Sequence, residues 1–206
     1  MLVQIRPARP GDGEGLARVW LSAGAYYADL DPAHFQVPSA DGLAESFEAD
    51  IKATSGSNDR LRLVADWNGQ VAGWLTAHVE HPVGNTAHQL VRDLGWIRLM
   101  VDALVVDQAL WRRGTGTALL EAAESWGRDR GASMVRLDTY VHSPVSVPFY
   151  ERHMGYQRRS IYFVKDLLSA GEQGAEHVLH DATMPVILRF ARGVDPHDRA
   201  EFLSVG

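Results

Sequence analysis

Leu104-Val105-Val106-Asp107-Gln108-Ala109-Leu110-Trp111-Arg112-Arg113-Gly114-Thr115-Gly116-Thr117-Ala118-Leu119-Leu120 is the stretch on which the reading of this sequence turns. An apolar run that reads as a buried strand passes into a basic turn holding two glycines. The turn opens an amphipathic helix with Leu119, Ala122, Ala123 and Trp126 on one face. Such a junction suits a pyrophosphate. Amides at a helix N-terminus precede the first intrahelical bonds and carry partial positive charge. Gly114 and Gly116 let the backbone approach an anion closely, Arg112 and Arg113 add charge, and Thr115 and Thr117 add hydroxyl donors. The same residues also read as a capped surface helix with two solvated arginines.

Two familiar phosphate loops do not fit. A dinucleotide fingerprint needs Gly-x-Gly-x-x-Gly or Ala directly after the first strand, and here Leu119 takes the third position. A Walker loop needs Gly-Lys-Ser/Thr, which the stretch lacks.

Working outward, Val3 to Ala8 reads as a first strand stopped by Pro10-Gly11-Asp12-Gly13. Helical spacing follows over Glu14 to Tyr27 and over Gly42 to Ile51. Arg60 to Trp67 and Val71 to Glu80 flank Asn68-Gly69 and should pair as a hairpin. His81 to Leu94 is irregular or briefly helical, and Trp96 to Val106 is a central strand. After the helix Gly114 to Arg130 come a strand over Ser133 to Val141, a short helix through Phe149-Tyr150 ending at Gly155, and a strand over Tyr156 to Val164. The order predicts an α/β fold with a mixed, mostly antiparallel central sheet flanked by about four helices. Residues 166–206 are expected to form a C-terminal extension: a loop, an extra strand over Met184 to Phe190 and a tail.

Composition narrows the function classes. The 206 residues are 46% hydrophobic and 22% charged, ordinary for a globular domain. A net charge of −6 argues against nucleic acid as a partner. With no cysteine there is no disulfide, thiolate metal site or thiol nucleophile, and no His/Asp/Glu spacing suggests a metal. No apolar run is long enough to span a membrane and no apolar leader opens the chain, so the expected location is the cytoplasm.

Four motifs in order then resemble the Gcn5-related N-acetyltransferase (GNAT) superfamily. They are Ile5-Arg6-Pro7-Ala8-Arg9-Pro10-Gly11-Asp12, the hairpin ending Val71-Ala72-Gly73-Trp74, the loop from Val106 to Gly116, and Phe149-Tyr150-Glu151-Arg152-His153-Met154-Gly155-Tyr156. The resemblance covers roughly residues 3–165 and implies one acetyltransferase domain over 1–165. It implies acetyl-CoA as co-substrate, with backbone groups of Leu104, Val105 and Val106 along the pantetheine arm. The pyrophosphate would lie on Trp111, Arg112, Arg113, Gly114, Thr115, Gly116 and Thr117. Trp111 stands where the family loop begins with Gln or Arg, and Ser143 where an Asn commonly precedes the Phe-Tyr pair. The helix carrying that pair should start late, capped by Ser146 or Val147, with Pro148 in its first turn.

The resemblance further implies direct acetyl transfer to an amine of a small molecule or peptide within a ternary complex. Tyr150 occupies the family position for the acid that protonates the leaving thiolate; packing against Phe149 is its other reading. Asp102, a charge inside an apolar strand, is the candidate base, or else a strand-end charge or one half of an ion pair, with His78 and Glu80 in reserve. In this family the first two helices shape the acceptor pocket. Residues 19–51 hold six acids and no Lys or Arg, and Tyr26, Tyr27 and Phe35 lie among them, which suits a cation. Asp29 and Asp31 are the pocket candidates, whereas Glu45 and Glu48 read as a solvated helix face. Alternative readings are a non-catalytic acyl-CoA-binding sensor module and a transferase using another acyl-CoA or an O-acceptor. The 184–190 strand offers an edge for a homodimer.

Overall fold

The computed structural model describes residues 3–161 and 163–165. They form two compact units, divided between Asp138 and Thr139. The first unit runs β1 (Gln4–Pro7), α1 (Gly13–Leu30), α2 (Leu43–Thr54), β2 (Arg60–Trp67), β3 (Gln70–Glu80), β4 (Arg98–Val106), α3 (Thr115–Arg128) and β5 (Met134–Arg136). Short 3-10 turns at Thr86–His88, Arg92–Gly95 and Gln108–Leu110 join these elements. The sheet order is β1-β2-β3-β4-β5. The first three pairings are antiparallel, and β4 with β5 is parallel. The expected mixed, mostly antiparallel sheet is present, with four helices across the two units.

The hairpin forms where Asn68-Gly69 places it, both residues at positive φ as a tight hairpin turn requires. Alternation then divides the sheet's faces. Trp74 on β3 packs 5.5 Å from Trp20 of α1 and 5.5 Å from Phe47 of α2, so even-numbered residues of β3 face those helices. Val79 faces the other way, and its partner Leu99 lies under Gly127 of α3. The core thus has two layers, one of Leu16, Val19, Trp20, Phe47 and Trp74 and one of Leu99, Leu119, Leu120 and Ala123, all buried. Truncating a side chain like Trp74 in such a layer costs about 3–5 kcal/mol.

The β3–β4 register slips between Thr76 and Ala77: Thr76 opposes Ala103, and Ala77 opposes Val101. Asp102 is the extra residue, a β-bulge, which re-aims its side chain and twists the strand. Beyond the bulge β5 no longer follows. It pairs only with Arg98, Leu99 and Met100, so the rest of β4 has β3 on one edge and no strand on the other among the described residues.

Several elements differ from the sequence reading. β4 starts at Arg98 rather than Trp96, and β5 keeps three residues instead of the span Ser133 to Val141. Among the described residues of Tyr156 to Val164 there is no strand; Ile161 is 83% and Phe163 91% exposed. An alternating pattern marks a sequence that fits a sheet, but pairing needs a neighbouring edge. The expected extension over 166–206, with its strand Met184 to Phe190, lies outside the described residues.

In the second unit an α-turn at Ser146–Pro148 (α4) continues as a π-turn at Phe149–His153. Pro148 does sit in the first turn. The cap is Val145, not Ser146 or Val147, and the Ser143 hydroxyl accepts the Ser146 amide at 3.0 Å. A serine three residues ahead of that amide can cap it while the residue between keeps its backbone place.

Candidate active site

The end of β4 is built to leave backbone groups uncommitted to the sheet. The Asp107 amide donates to Ala72 O at 2.9 Å, so Asp107 faces β3. Strand alternation therefore turns the N–H and C=O of Leu104 and Val106 to the open edge. Gly73 makes this end compact: a Cβ there would lie 2.7 Å from Val105 O. The Trp111 indole N–H donates to Val106 O at 2.8 Å and so staples the loop back onto the strand that precedes it.

Asp107 starts the loop by accepting the Ala109 amide on its carboxylate. Arg18 of α1 holds the loop from below, bonding both the Asp107 carboxylate and Val71 O. The backbone then enters the left-handed region twice, at Arg112 (φ 60) and at Gly114 (φ 81). For the arginine this costs about 1–2 kcal/mol, a strain typical of ligand clamps and tight turns. Helix α3 begins at Thr115, and its first intrahelical bond runs from the Ala118 amide to Gly114 O at 2.9 Å. No acidic residue lies in its first turn. Thr115 is only 2% exposed, and its hydroxyl oxygen is buried without a hydrogen-bond partner.

Both loop arginines are exposed; of the two, Arg113 lies over the Trp67 ring at 5.8 Å and lines a cavity of about 320 Å³ with Arg18, Val71, Asp107 and Leu110. Trp67 and Arg18 drew no notice in the sequence, because their partners lie far along the chain.

The acceptor candidates divide. Tyr26 packs edge-on against Trp111 at 4.9 Å, and Tyr27 makes an edge contact with Tyr26 and a tilted one with Phe35. The structure thus joins the aromatic end of α1 to the loop. Asp29 is exposed. Asp31 builds the turn after α1, its carboxylate accepting the Ala33 amide and its carbonyl accepting His34 and Phe35 amides. Glu45 is exposed as expected, but Glu48 is not on a solvated face. Its Oε1 accepts the Gly11 amide at 2.9 Å and the Gly13 amide at 2.7 Å, closing the N-terminus of α1. Helical spacing places Glu48 on an outer face of α2, and only the α1–α2 packing brings amides to it.

At the bulge, Asp102 meets His78: its carboxylate oxygens lie 2.9 and 3.1 Å from Nδ1. Glu80 is spent differently, 2.9 Å from the guanidinium of Arg98, which is 2% exposed. Asp138, which the sequence did not single out, has its carboxyl held above the usual range. Partial burial pushes it up, Arg136 opposes, and the charge of Asp102 adds to the rise.

In the second unit the Tyr150 ring lies 5.1 Å from Phe149 and 5.9 Å from Tyr156, and its carbonyl accepts the Tyr156 amide. Arg158 pairs with Glu151 across the turn after it. Among the described residues no group of His, Cys, Asp and Glu could hold a metal ion, and no helix is long and apolar enough to cross a membrane.

A sequence model described as the acetyltransferase (GNAT) family matches residues 25–156. No curated protein sequence matches the chain. Among solved structures, a transcriptional regulator from Bacillus halodurans C-125 is similar at a TM-score of 0.61, with 20% identity over 80% of this chain and 99% of that one. A glucosamine-6-phosphate N-acetyltransferase from Arabidopsis thaliana gives a TM-score of 0.57, with 19% identity over 81% of this chain and 99% of that one. An aminoglycoside N-acetyltransferase in complex with CoA gives 0.53, with 18% identity over 80% of this chain and 95% of that one. These likenesses are of fold.

Proposed function

This chain belongs to the acetyltransferase (GNAT) family, and on that premise we propose that it is an acetyl-CoA-dependent N-acetyltransferase. It moves an acetyl group directly to an amine of a small molecule or peptide in a ternary complex, the domain spanning 1–165. The observation that carries the reading is the open edge of β4 running into the acid-free N-terminus of α3. The buried, unpartnered Thr115 hydroxyl at that terminus fits the oxygen-rich anion that CoA would bring there.

Acetyl-CoA would supply a thioester whose acetyl carbon takes the amine nitrogen and whose sulfur leaves as thiolate. The chain's residues do the rest. Leu104 and Val106 turn peptide groups to the open edge, with Val105 between them packed inward. The amides of Thr115 and Gly116, with Arg112, Arg113 and Thr117 in the same segment, hold the pyrophosphate. Trp111 contributes by fixing this loop, since its indole N–H is already committed to Val106 O. Ser143 keeps its hydroxyl hydrogen for the cofactor while its oxygen caps Ser146. Tyr150 gives a proton to the leaving sulfur. Asp102, with His78 and Glu80 nearby along the strands, serves the incoming ammonium. Tyr26 and Tyr27 offer ring faces to a cationic amine, with Asp29 and Asp31 adding negative charge. With no cysteine in the chain, no thiol-borne acyl-enzyme intervenes.

The test is a library of amines incubated with acetyl-CoA, with thiol release and product mass as readouts. The expected result is an acetylated amine and a Tyr150→Phe variant slower by about 10²–10⁴-fold at unchanged acetyl-CoA affinity. Binding of acetyl-CoA without thiol release to any amine would favour a sensor module instead.

A further inference from the structure

From the geometry at the β4 bulge we infer that His78, through Nε2, is the base that takes the proton of the incoming ammonium, and that Asp102 is its positioning residue. This rests on the transferase reading above and divides the labour within it. Asp102 is the extra residue of the bulge, so its side chain leaves the regular alternation and reaches β3. Both its oxygens address one atom, His78 Nδ1, at 2.9 and 3.1 Å. A carboxylate there fixes the proton on Nδ1 and leaves the Nε2 lone pair as the basic site. Nε2 has no hydrogen-bond partner among the described residues. The histidine side chain is 30% exposed against 18% for the aspartate, so the imidazole is the outer group of the pair. Even numbering on β3 puts His78 on the sheet face of Trp74, the face that α1 and α2 cover and on which the acceptor candidates lie.

The protons balance. An ammonium gives one proton to His78 Nε2 and becomes the nucleophilic amine. The resulting imidazolium is stabilised by Asp102 and returns the proton to solvent. The proton lost from nitrogen when the C–N bond forms equals the one gained by sulfur when the C–S bond breaks. Charged groups around the pair enter any pH profile. Arg60 of β2 opposes His78 in the register. Glu80 lies two residues on along β3, neutralised by Arg98, and Asp138 with Arg136 lies within electrostatic reach of Asp102. His81 pairs with Asp59 at 3.6 Å just beyond β3, and Arg62 pairs with Asp50 of α2. Met100, opposite His78 on β4, is neutral.

The experiment uses the full chain, acetyl-CoA and the amine library of the preceding section, with His78→Gln, Asp102→Asn and the double variant. Acetyl-CoA affinity by calorimetry should be equal in all four proteins. His78→Gln should lower kcat about 10²–10³-fold, abolish the acid limb of the kcat/KM profile and regain turnover with added imidazole. Asp102→Asn should fall less, and the double variant no further than His78→Gln alone. Independently of turnover, nitrogen NMR should find the His78 proton on Nδ1 in the wild type and redistributed in Asp102→Asn. If His78→Gln keeps its rate and acid limb while Asp102→Asn loses both, the carboxylate is the base and the inference is wrong. Full activity in both variants would make the pair structural and overturn it equally. A wild type that binds acetyl-CoA but acetylates no amine would sink the transferase reading itself, an outcome distinct from either.

Discussion

Helices α1 and α3 both begin after a glycine-bearing turn, and they finish that beginning in opposite ways. At α1 the chain supplies its own anion: Glu48 of α2 accepts the Gly11 and Gly13 amides, and Asp12 is buried under Arg6 and the Arg9 amide. At α3 there is no carboxylate in the first turn; Arg112, Arg113 and a buried threonine hydroxyl stand there instead. Both termini carry the same partial positive charge from aligned peptide dipoles. The first is closed by packing and works as a structural joint between two helices. The second keeps its complementarity for a negative group from outside, at the end of a strand whose edge is also open. What makes a helix terminus a candidate site is thus the choice of neighbours, since the backbone is alike in both.

That contrast can be broken from either side. Giving α3 its own anion should have the largest effect. Thr117→Glu places a carboxylate three residues past Gly114, where it can satisfy the helix end and repel a pyrophosphate. Acetyl-CoA affinity by calorimetry should fall about a hundredfold, equivalent to ~2.7 kcal/mol, while thermal stability holds or rises slightly. Thr117→Gln, neutral and of the same shape, should bind nearly as the wild type does; equal losses in both would show that bulk and not charge is at work.

Removing the anion from α1 should do the reverse. Glu48→Ala leaves two amides without their charged acceptor and should cost about 2 kcal/mol, a Tm lower by about 4–8 °C in differential scanning calorimetry. Acetyl-CoA affinity should not change. A variant that lost affinity but not stability would erase the distinction between the two ends.

The smallest effect is in acid. Burial raises the Asp12 carboxyl, but the Arg6 hydrogen bonds, the Arg9 amide and their charges outweigh it and hold the group below the usual range. A depressed folded pKa stabilises the fold above the unfolded value of about 4, and the benefit fades as pH falls through the folded value. Asp12→Asn should therefore be less stable than the wild type by about 1 kcal/mol from pH 7 down to about 5. The two should converge below about pH 4. Denaturant melts across that range would show it, and a gap that widened in acid would refute the sign.

Much of this was legible along the chain because it depends on near neighbours. Asn68-Gly69 announced a hairpin because few residues tolerate positive φ at two successive positions. The junction from Val106 to Gly116 was legible because strand, basic turn and helix start are contiguous. Asp102 stood out as a charge in an apolar run for which an ion pair was one reading, but that its partner is His78 was not legible. Glu48, by contrast, was misread, since its partners Gly11 and Gly13 precede it by more than thirty residues. The strand expected over Tyr156 to Val164 was misread for a related reason: alternation describes a face, while pairing needs an edge.

The sequence alone therefore determined the order of elements as far as the Phe149-Tyr150 turn, the antiparallel hairpin, the anion-suited loop and the family resemblance. All of these follow from local backbone preferences and from the periodicity of apolar residues. Only the tertiary structure decided that β4 bulges at Asp102 and meets His78, that β5 stops after three residues and leaves an edge open, and that one helix terminus is closed while the other is not. Those features depend on which distant segments come within hydrogen-bond reach. That is settled by packing two core layers against one twisted sheet, and no stretch of sequence contains it by itself.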